Sequence, residues 1–398
     1  MEENRSYWVW LCFRYSLSLA PDLRSRPHSP MLIALITATL LAFLAGQALP
    51  KAIGAAPAFW AHLVLAVGVM SLITAAMQHF VPVLTRGRGA GRWAARLPYL
   101  MLAAGGLALA VFAGLLDFVW IMIPAGLALA GSLLMMAWMR AKAGKALGKP
   151  HPGLAWYVAA MGCLALGLTA AILIPVFPEW HTALRAFHIH VNLYGFVGLT
   201  AVGTLQVLMP TAANRPDPHV AGRLRTDLKW ALLGSLLLAA GQAVLPPLAW
   251  LGGLFWAWVC FNMGRAWWRL HRPRLFAWHG AEPVLAAALL GFAFALVGTL
   301  FGPDSLGPLT IFLPGFLMPL VTGAAGQLAP VWIEAGRNAA RHAEDRAKIT
   351  RWNGPRALLF LTAAALPLLG YKCSGMPALT ALVWFGIVFA IWLYRDSN

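Results

Sequence analysis

Three histidines and a tyrosine carry most of the chemistry this sequence offers. His188 and His190 stand two apart in RAFHIHVNLYGFVGLTAVGTLQVLMP (185–210), followed by Asn192, Tyr194 and Gln206. The stretch otherwise reads as one membrane-spanning helix. Ionisable and strongly polar side chains inside a bilayer are costly and point to function. Neutral imidazole is a strong axial ligand for haem iron. Successive residues of an α-helix are about 100° apart, so His188 and His190 point about 200° apart and cannot chelate one ion. They serve two sites on opposite faces, or one ligates while the other hydrogen-bonds. Gly195 and Gly198, about one turn further in, leave room for a flat macrocycle or for close helix approach. His62 stands at the equivalent depth of an earlier apolar run that contains Gly68. These residues predict a bis-imidazole haem held between His62 and either His188 or His190.

Other polar groups have plainer readings. Gln78, His79 and Gln206 lie near the opposite ends of their helices. Helix capping and interhelical hydrogen bonds of roughly 0.6 kcal/mol each account for them. His79 could instead contact a haem propionate or a quinone headgroup. Tyr194 is either a redox partner of the site or an ordinary polar contact. Arg185 is close to His188, and an alternative reading leaves the histidines in the headgroup region, bonded to water.

The elements that must position these residues are membrane helices. The chain has 398 residues, 60% hydrophobic and 11% charged, where soluble domains carry roughly a quarter charged residues. Twelve apolar spans of membrane-crossing length are predicted near 31–49, 59–84, 97–115, 118–139, 153–176, 186–210, 228–246, 249–268, 281–302, 307–332, 357–371 and 377–394. With the N-terminus in the cytoplasm, 27 of the 30 Lys and Arg fall on the cytoplasmic side; only Lys51, Arg185 and Lys372 do not. That asymmetry satisfies the positive-inside rule at every loop. The net charge of +17 is therefore topology, with anionic lipids as its partner and no nucleic acid implied. Residues 1–27, with the short apolar run YWVWLCF, are expected to form a cytoplasmic or interfacial segment. The four cysteines are scattered, with no CxxCH for covalent haem and no paired metal site.

Spacing also predicts an internal repeat. His62 lies sixteen residues before Gln78 and twenty before Pro82; His190 lies sixteen before Gln206 and twenty before Pro210. The tenth span fits the same frame from Thr310 to Pro330, with Gln327 one position off and Thr322 matching Thr74. The expected architecture is an all-α polytopic protein of twelve transmembrane helices in three pseudo-symmetric four-helix arcs, with both termini cytoplasmic. The arcs cover roughly 28–150, 151–278 and 279–398 of one membrane domain (28–398). Each opens with a histidine at the membrane edge: His28, His151 and His279.

This arrangement resembles the catalytic subunit of the haem–copper oxidases. That family also has twelve helices in three arcs, with histidine ligands on the second, sixth, seventh and tenth. FHIHV is similar to its His-x-His haem motif, although here it sits on the sixth helix. The spacing of His190 and Tyr194 is similar to the family's His…Tyr pair. The seventh and tenth spans have no histidine, so the resemblance is closer to divergent members such as the NnrS-type haem- and copper-containing membrane proteins. It implies one or two b-type haems on His62, His188 and His190, with Tyr194 and His79 nearby, and no full ligand set for copper. It further implies a bacterial inner-membrane oxidoreductase in electron transfer or in nitric oxide- or oxygen-linked respiration. A cytochrome or quinone donor and respiratory or denitrification complex subunits would be its partners. The alternative is a non-catalytic protein that handles metal or haem or assembles a respiratory complex. No acid or lysine is expected at mid-membrane, which argues against a proton pump or a carrier of charged substrates.

Overall fold

The computed structural model describes residues 29–50, 54, 56–303, 306–333, 339–371 and 375–397. The N-terminal segment, His28, Lys51 and Lys372 lie outside them. All regular structure among the described residues is helical. In chain order the elements are α1 (Ser29–Ala48), α2 (Pro57–Thr85), α3 (Leu97–Phe112), α4 (Met122–Gly144), α5 (Gly153–Leu173), α6 (Pro178–Ala212) and α7 (Val220–Ala243). They continue with α8 (Pro246–Leu275), α9 (Glu282–Phe301), α10 (Leu309–Ile333), α11 (Ala339–Ile349), α12 (Asn353–Leu368) and α13 (Gly375–Ser397).

Nine helices among the described residues are long and apolar enough to cross a membrane: α1 to α6, α9, α10 and α13. The other three expected spans are also helical. Arg223, Arg225, Asp227 and Lys229 occupy the first half of α7 and shorten its apolar stretch. Arg265, Arg269, Arg272 and Arg274 do the same to the second half of α8. Helix α12 has 16 residues, just short of the usual transmembrane length.

Chain chemistry explains where the helices start and stop. Proline stands in the first turn of α2, α3 and α9, where its missing N–H costs nothing and its fixed φ suits a helix. Helix α2 ends as Arg86 turns left-handed (φ 51°), so that its N–H and that of Gly87 return to the Pro82 and Val83 carbonyls. Such closure satisfies carbonyls that the end of the helix would otherwise leave unpaired.

Three helices share an uncommon feature. Each of α2, α6 and α10 widens into a π-helical segment: Leu63–Val69, Val191–Gly198 and Phe312–Leu317. His62 and His190 immediately precede the first two. Thr310 lies two residues before the third. Pro82, Pro210 and Pro330 then fall inside the α-helical continuations. These are the helices that share the sequence frame. π-segments are rare and concentrate at functional sites.

The contacts divide the chain into two compact units. One comprises Leu49–Thr204 and Ala221–Val259. In it, successive helices from α2 to α6 pack as neighbours. Gly105 on α3 lies against the first π-segment, where a Cβ would fall 2.5 Å from the Ala66 carbonyl oxygen. Cys163 on α5 meets Gly195 in the second. The Trp156 indole donates to the Leu224 carbonyl (2.9 Å), tying α5 to α7. Tyr157 and Thr204 share a 2.9 Å hydrogen bond between α5 and α6. Small residues let α7 and α8 approach closely through Gly234, Gly241 and Gly252.

The other unit comprises the described residues within Met1–Ala48, Leu205–Val220 and Cys260–Asn398. Here α9 packs on α10 and α12, with Gly291 on α9 seated against the backbone of Gly315 in the third π-segment. Helix α1 packs on α10 and α13, and the short α11 lies against both α10 and α13. Asn353 Nδ2 donates to the Gly280 carbonyl (2.7 Å), and the Trp352 N–H donates to His279 Nδ1 (3.1 Å), fastening the start of α12 to the turn before α9.

Candidate functional site

The histidine-bearing site lies within the first unit. His62 closes the opening α-helical turns of α2, and His188 sits in the last turns before the π-segment of α6. Their ring centroids are 6.5 Å apart and the planes differ by 11°. His62 also stacks on Phe112, the last residue of α3, at 4.0 Å. Both histidines are partly buried.

Each ring is held by a hydrogen bond whose direction is fixed by chemistry. His62 Nδ1 lies 2.7 Å from the Ala58 carbonyl oxygen, and His188 Nδ1 lies 2.8 Å from that of Gly167 on α5. A carbonyl only accepts, so in both neutral rings Nδ1 carries the proton and donates. The Nε2 lone pairs are then available, and no described residue hydrogen-bonds to them. A metal-ligating histidine is normally held in this way, its second ring N–H fixed to a carbonyl or carboxylate. Asn192, one turn after His188, adds a clamp: its Nδ2 donates to the His188 carbonyl (2.8 Å) and lies 3.3 Å from His188 Nδ1. Gly167 leaves the room for this, since a Cβ there would come within 2.5 Å of Asn192 Nδ2.

His190 is placed differently. It is buried, its Nδ1 donates to the Ala186 carbonyl (2.8 Å), and its ring lies parallel to that of Tyr194 at 6.5 Å. Tyr194 is fully buried within the π-segment. Its carbonyl accepts from the Ser235 hydroxyl of α7 (3.0 Å), which in turn accepts from the Trp256 indole of α8 (3.2 Å). The two adjacent imidazoles therefore face different surroundings. His79 joins neither group. It lies 17 residues beyond His62, about 25 Å along the helix, edge-on to Phe80.

The donor set can be tested against the groups it would hold. Two imidazoles on opposite sides of one metal, each bonded through Nε2 at about 2.0 Å, would have centroids at most about 6 Å apart; the observed 6.5 Å is of that order. No cluster of three or more His, Cys, Asp or Glu able to hold a metal exists among the described residues. A bare zinc or copper ion takes three or four protein ligands. Haem brings four equatorial nitrogens of its own and needs only axial ligands from the protein. Two imidazoles match the number of protein ligands a haem needs and fall short of the three or four that a bare ion takes.

Asn192 stands out in the sequence as a polar residue of the same span, grouped there with His190 and Tyr194 and not with His188. Phe112, Gly167 and Ser235 carried no such signal: each is an ordinary membrane-helix residue distant in sequence from the group it touches.

No family model, curated protein or solved structure matches this chain.

Proposed function

We propose that this chain is a haem b-binding integral membrane protein, a divergent relative of the haem–copper oxidases, in which His62 and His188 are the axial ligands. The observation that carries this reading is the paired imidazoles, 6.5 Å apart and near parallel, each with Nδ1 tied to a backbone carbonyl. When bound, the haem would supply one-electron redox chemistry at its iron. The chain's own contribution is to fix both tautomers through Ala58 and Gly167, to hold His188 in place through Asn192, and to pack Phe112 against His62.

If His62 and His188 both held a haem, it would supply electron transfer between a cytochrome or quinone donor and a nitric oxide- or oxygen-linked respiratory pathway, the role this reading favours. His190 is held by the same kind of bond but faces Tyr194, not a second imidazole. One haem at His62 and His188 is therefore the principal site. The three-arc, twelve-helix architecture belongs to the same reading. It is supported by the π-segments that recur at one place in the shared frame of α2, α6 and α10. The bacterial inner membrane is the location this reading implies.

Haem titration into purified protein tests it. Wild type should bind about one haem per chain tightly and retain it through gel filtration, as bis-histidine ligation requires. The His62→Ala/His188→Ala double variant should bind none specifically. Retention of wild-type binding in that variant would reject the site. Weak, readily exchanged haem in the wild type would favour the rival role of haem handling or complex assembly.

A further inference from the structure

The second unit contains a basic pocket unrelated to the histidine site. It has a volume of about 250 Å³ and is lined by Arg341, Asp345 and Lys348 of α11, by Arg351, and by Trp392 and Arg395 at the end of α13, with Val388 and Ile391 completing an apolar wall. Four cations face one carboxylate. Lys348 is already paired, with Glu344 at 2.7 Å and Asp345 at 3.8 Å. Arg341, Arg351 and Arg395 form no ion pair with a carboxylate among the described residues.

Three guanidinium groups around one cavity call for an anion. Guanidinium matches phosphate in shape, offering paired N–H donors to two oxygens. The pocket is about eight times the volume of a liquid water molecule of roughly 30 Å³, roomy enough for a phosphodiester with its neighbouring carbons. Beneath α11, the fully buried Arg356 donates to the Ile349 carbonyl at that helix's last turn (3.2 Å). A cation there favours the negative end of the helix and holds α11 in place.

The apolar wall identifies the source of the phosphate. Val388, Ile391 and Trp392 belong to α13, which is long and apolar enough to cross a membrane as far as Arg395. Ile391 lines the pocket and is half exposed, as is Ile387 one turn earlier. The pocket thus opens from basic groups at a membrane edge onto the apolar surface of a membrane helix. A soluble phosphate would have no use for that wall, whereas an acyl chain would lie along it. Basic pockets between membrane helices are known to bind anionic headgroups.

We propose that this pocket is a specific binding site for an anionic phospholipid, with Arg341, Arg351 and Arg395 on the phosphate and Val388 and Ile391 against the first acyl carbons. The site is independent of haem binding.

Thermal unfolding of the full chain in mild detergent tests it, with added phosphatidylglycerol, phosphatidylcholine or inorganic phosphate. Phosphatidylglycerol should raise the unfolding temperature in a saturable way, and the other two should not. The Arg341→Gln/Arg351→Gln/Arg395→Gln variant should bind phosphatidylglycerol at least tenfold more weakly. The Arg→Lys triple variant, which keeps charge but loses the planar fork, should fall between. A control with equal charge loss elsewhere, Arg88→Gln/Arg92→Gln/Arg140→Gln, should respond as wild type. An equal response to phosphatidylcholine would overturn the assignment, as would an equal response to inorganic phosphate. So would equal loss in the control, or an undiminished response in the glutamine variant. Should the glutamine variant fail to fold, the lysine variant and the control decide by the same criteria.

Discussion

His62 and His188 lie more than a hundred residues apart in sequence, yet their imidazoles lie 6.5 Å from each other and within 11° of parallel. Each spends its Nδ1 proton on a backbone carbonyl. Burying polar rings is costly unless they are bonded, and here Nδ1 of each is bonded while no described residue hydrogen-bonds to Nε2. Single substitutions should therefore act alike. His62→Ala and His188→Ala should each lower haem content at least tenfold in purified protein, measured by pyridine haemochrome, while His190→Ala should retain more than half. Equal loss in all three would argue for a different ligand pair.

Gly167 and Asn192 make a coupled test of how His188 is held. A methyl group at Gly167 would press on the Asn192 amide, which clamps the turn carrying His188. Gly167→Ala should loosen haem binding several-fold and cost about 1–3 kcal/mol of stability, the usual scale of overpacking. Adding Asn192→Ala should recover much of the stability loss but not the haem affinity. Simple additivity of the two changes would show that they do not act through one contact.

How much of this was legible in the sequence differs by residue. The membrane class and helical content follow from apolar runs that only helices can satisfy across a bilayer. His62, His188 and His190 stood out because polar rings in such runs need a reason. The π-segments could not be read, because a run such as LVLAVGV has no pattern that distinguishes a widened turn from a regular one. Neither could the choice of His188 over His190 as the partner of His62, which depends on how α6 is rotated against α2 and α5. The frame shared by α2, α6 and α10 was readable as spacing, but not its physical content: a π-segment in each helix at the same place. The charges in α7 and α8 were read as loop residues, whereas the structure continues the helices through them.

The close approach of α3 to the first π-segment gives a stability test with an internal control. A Cβ on Gly105 would meet the backbone of Ala66, which cannot swing aside as a side chain can. Gly105→Ala should cost about 1–3 kcal/mol. The adjacent Gly106 faces open space, so Gly106→Ala should be neutral or stabilising by up to about 1 kcal/mol, as expected within a helix. Thermal unfolding in detergent separates the two, and equal effects would contradict the packing described.

His151 provides a pH test outside the membrane spans. Burial, reinforced by the positive charges of Arg225 and Arg86, pushes its pKa down to about 4. Its Nδ1 accepts the Gly153 N–H (3.1 Å), a bond that protonation would break. The unfolded chain takes up the proton near pH 6.5 and the folded chain only near 4, so stability falls as pH drops through that window. At pH 5 the loss should be about 2 kcal/mol. His151→Gln should remove that part of the acid sensitivity; unchanged pH dependence in the variant would show that another group is responsible.

The most direct measurement is a pair of absorption spectra, air-oxidised and dithionite-reduced, of the detergent-purified full chain, with iron quantified on the same sample. Bis-histidine ligation by His62 and His188 predicts a Soret band, sharp reduced α and β bands, and about one iron per chain. The His62→Ala/His188→Ala variant should lack all three. A colourless, iron-free wild-type protein that stays so after haem reconstitution would contradict it.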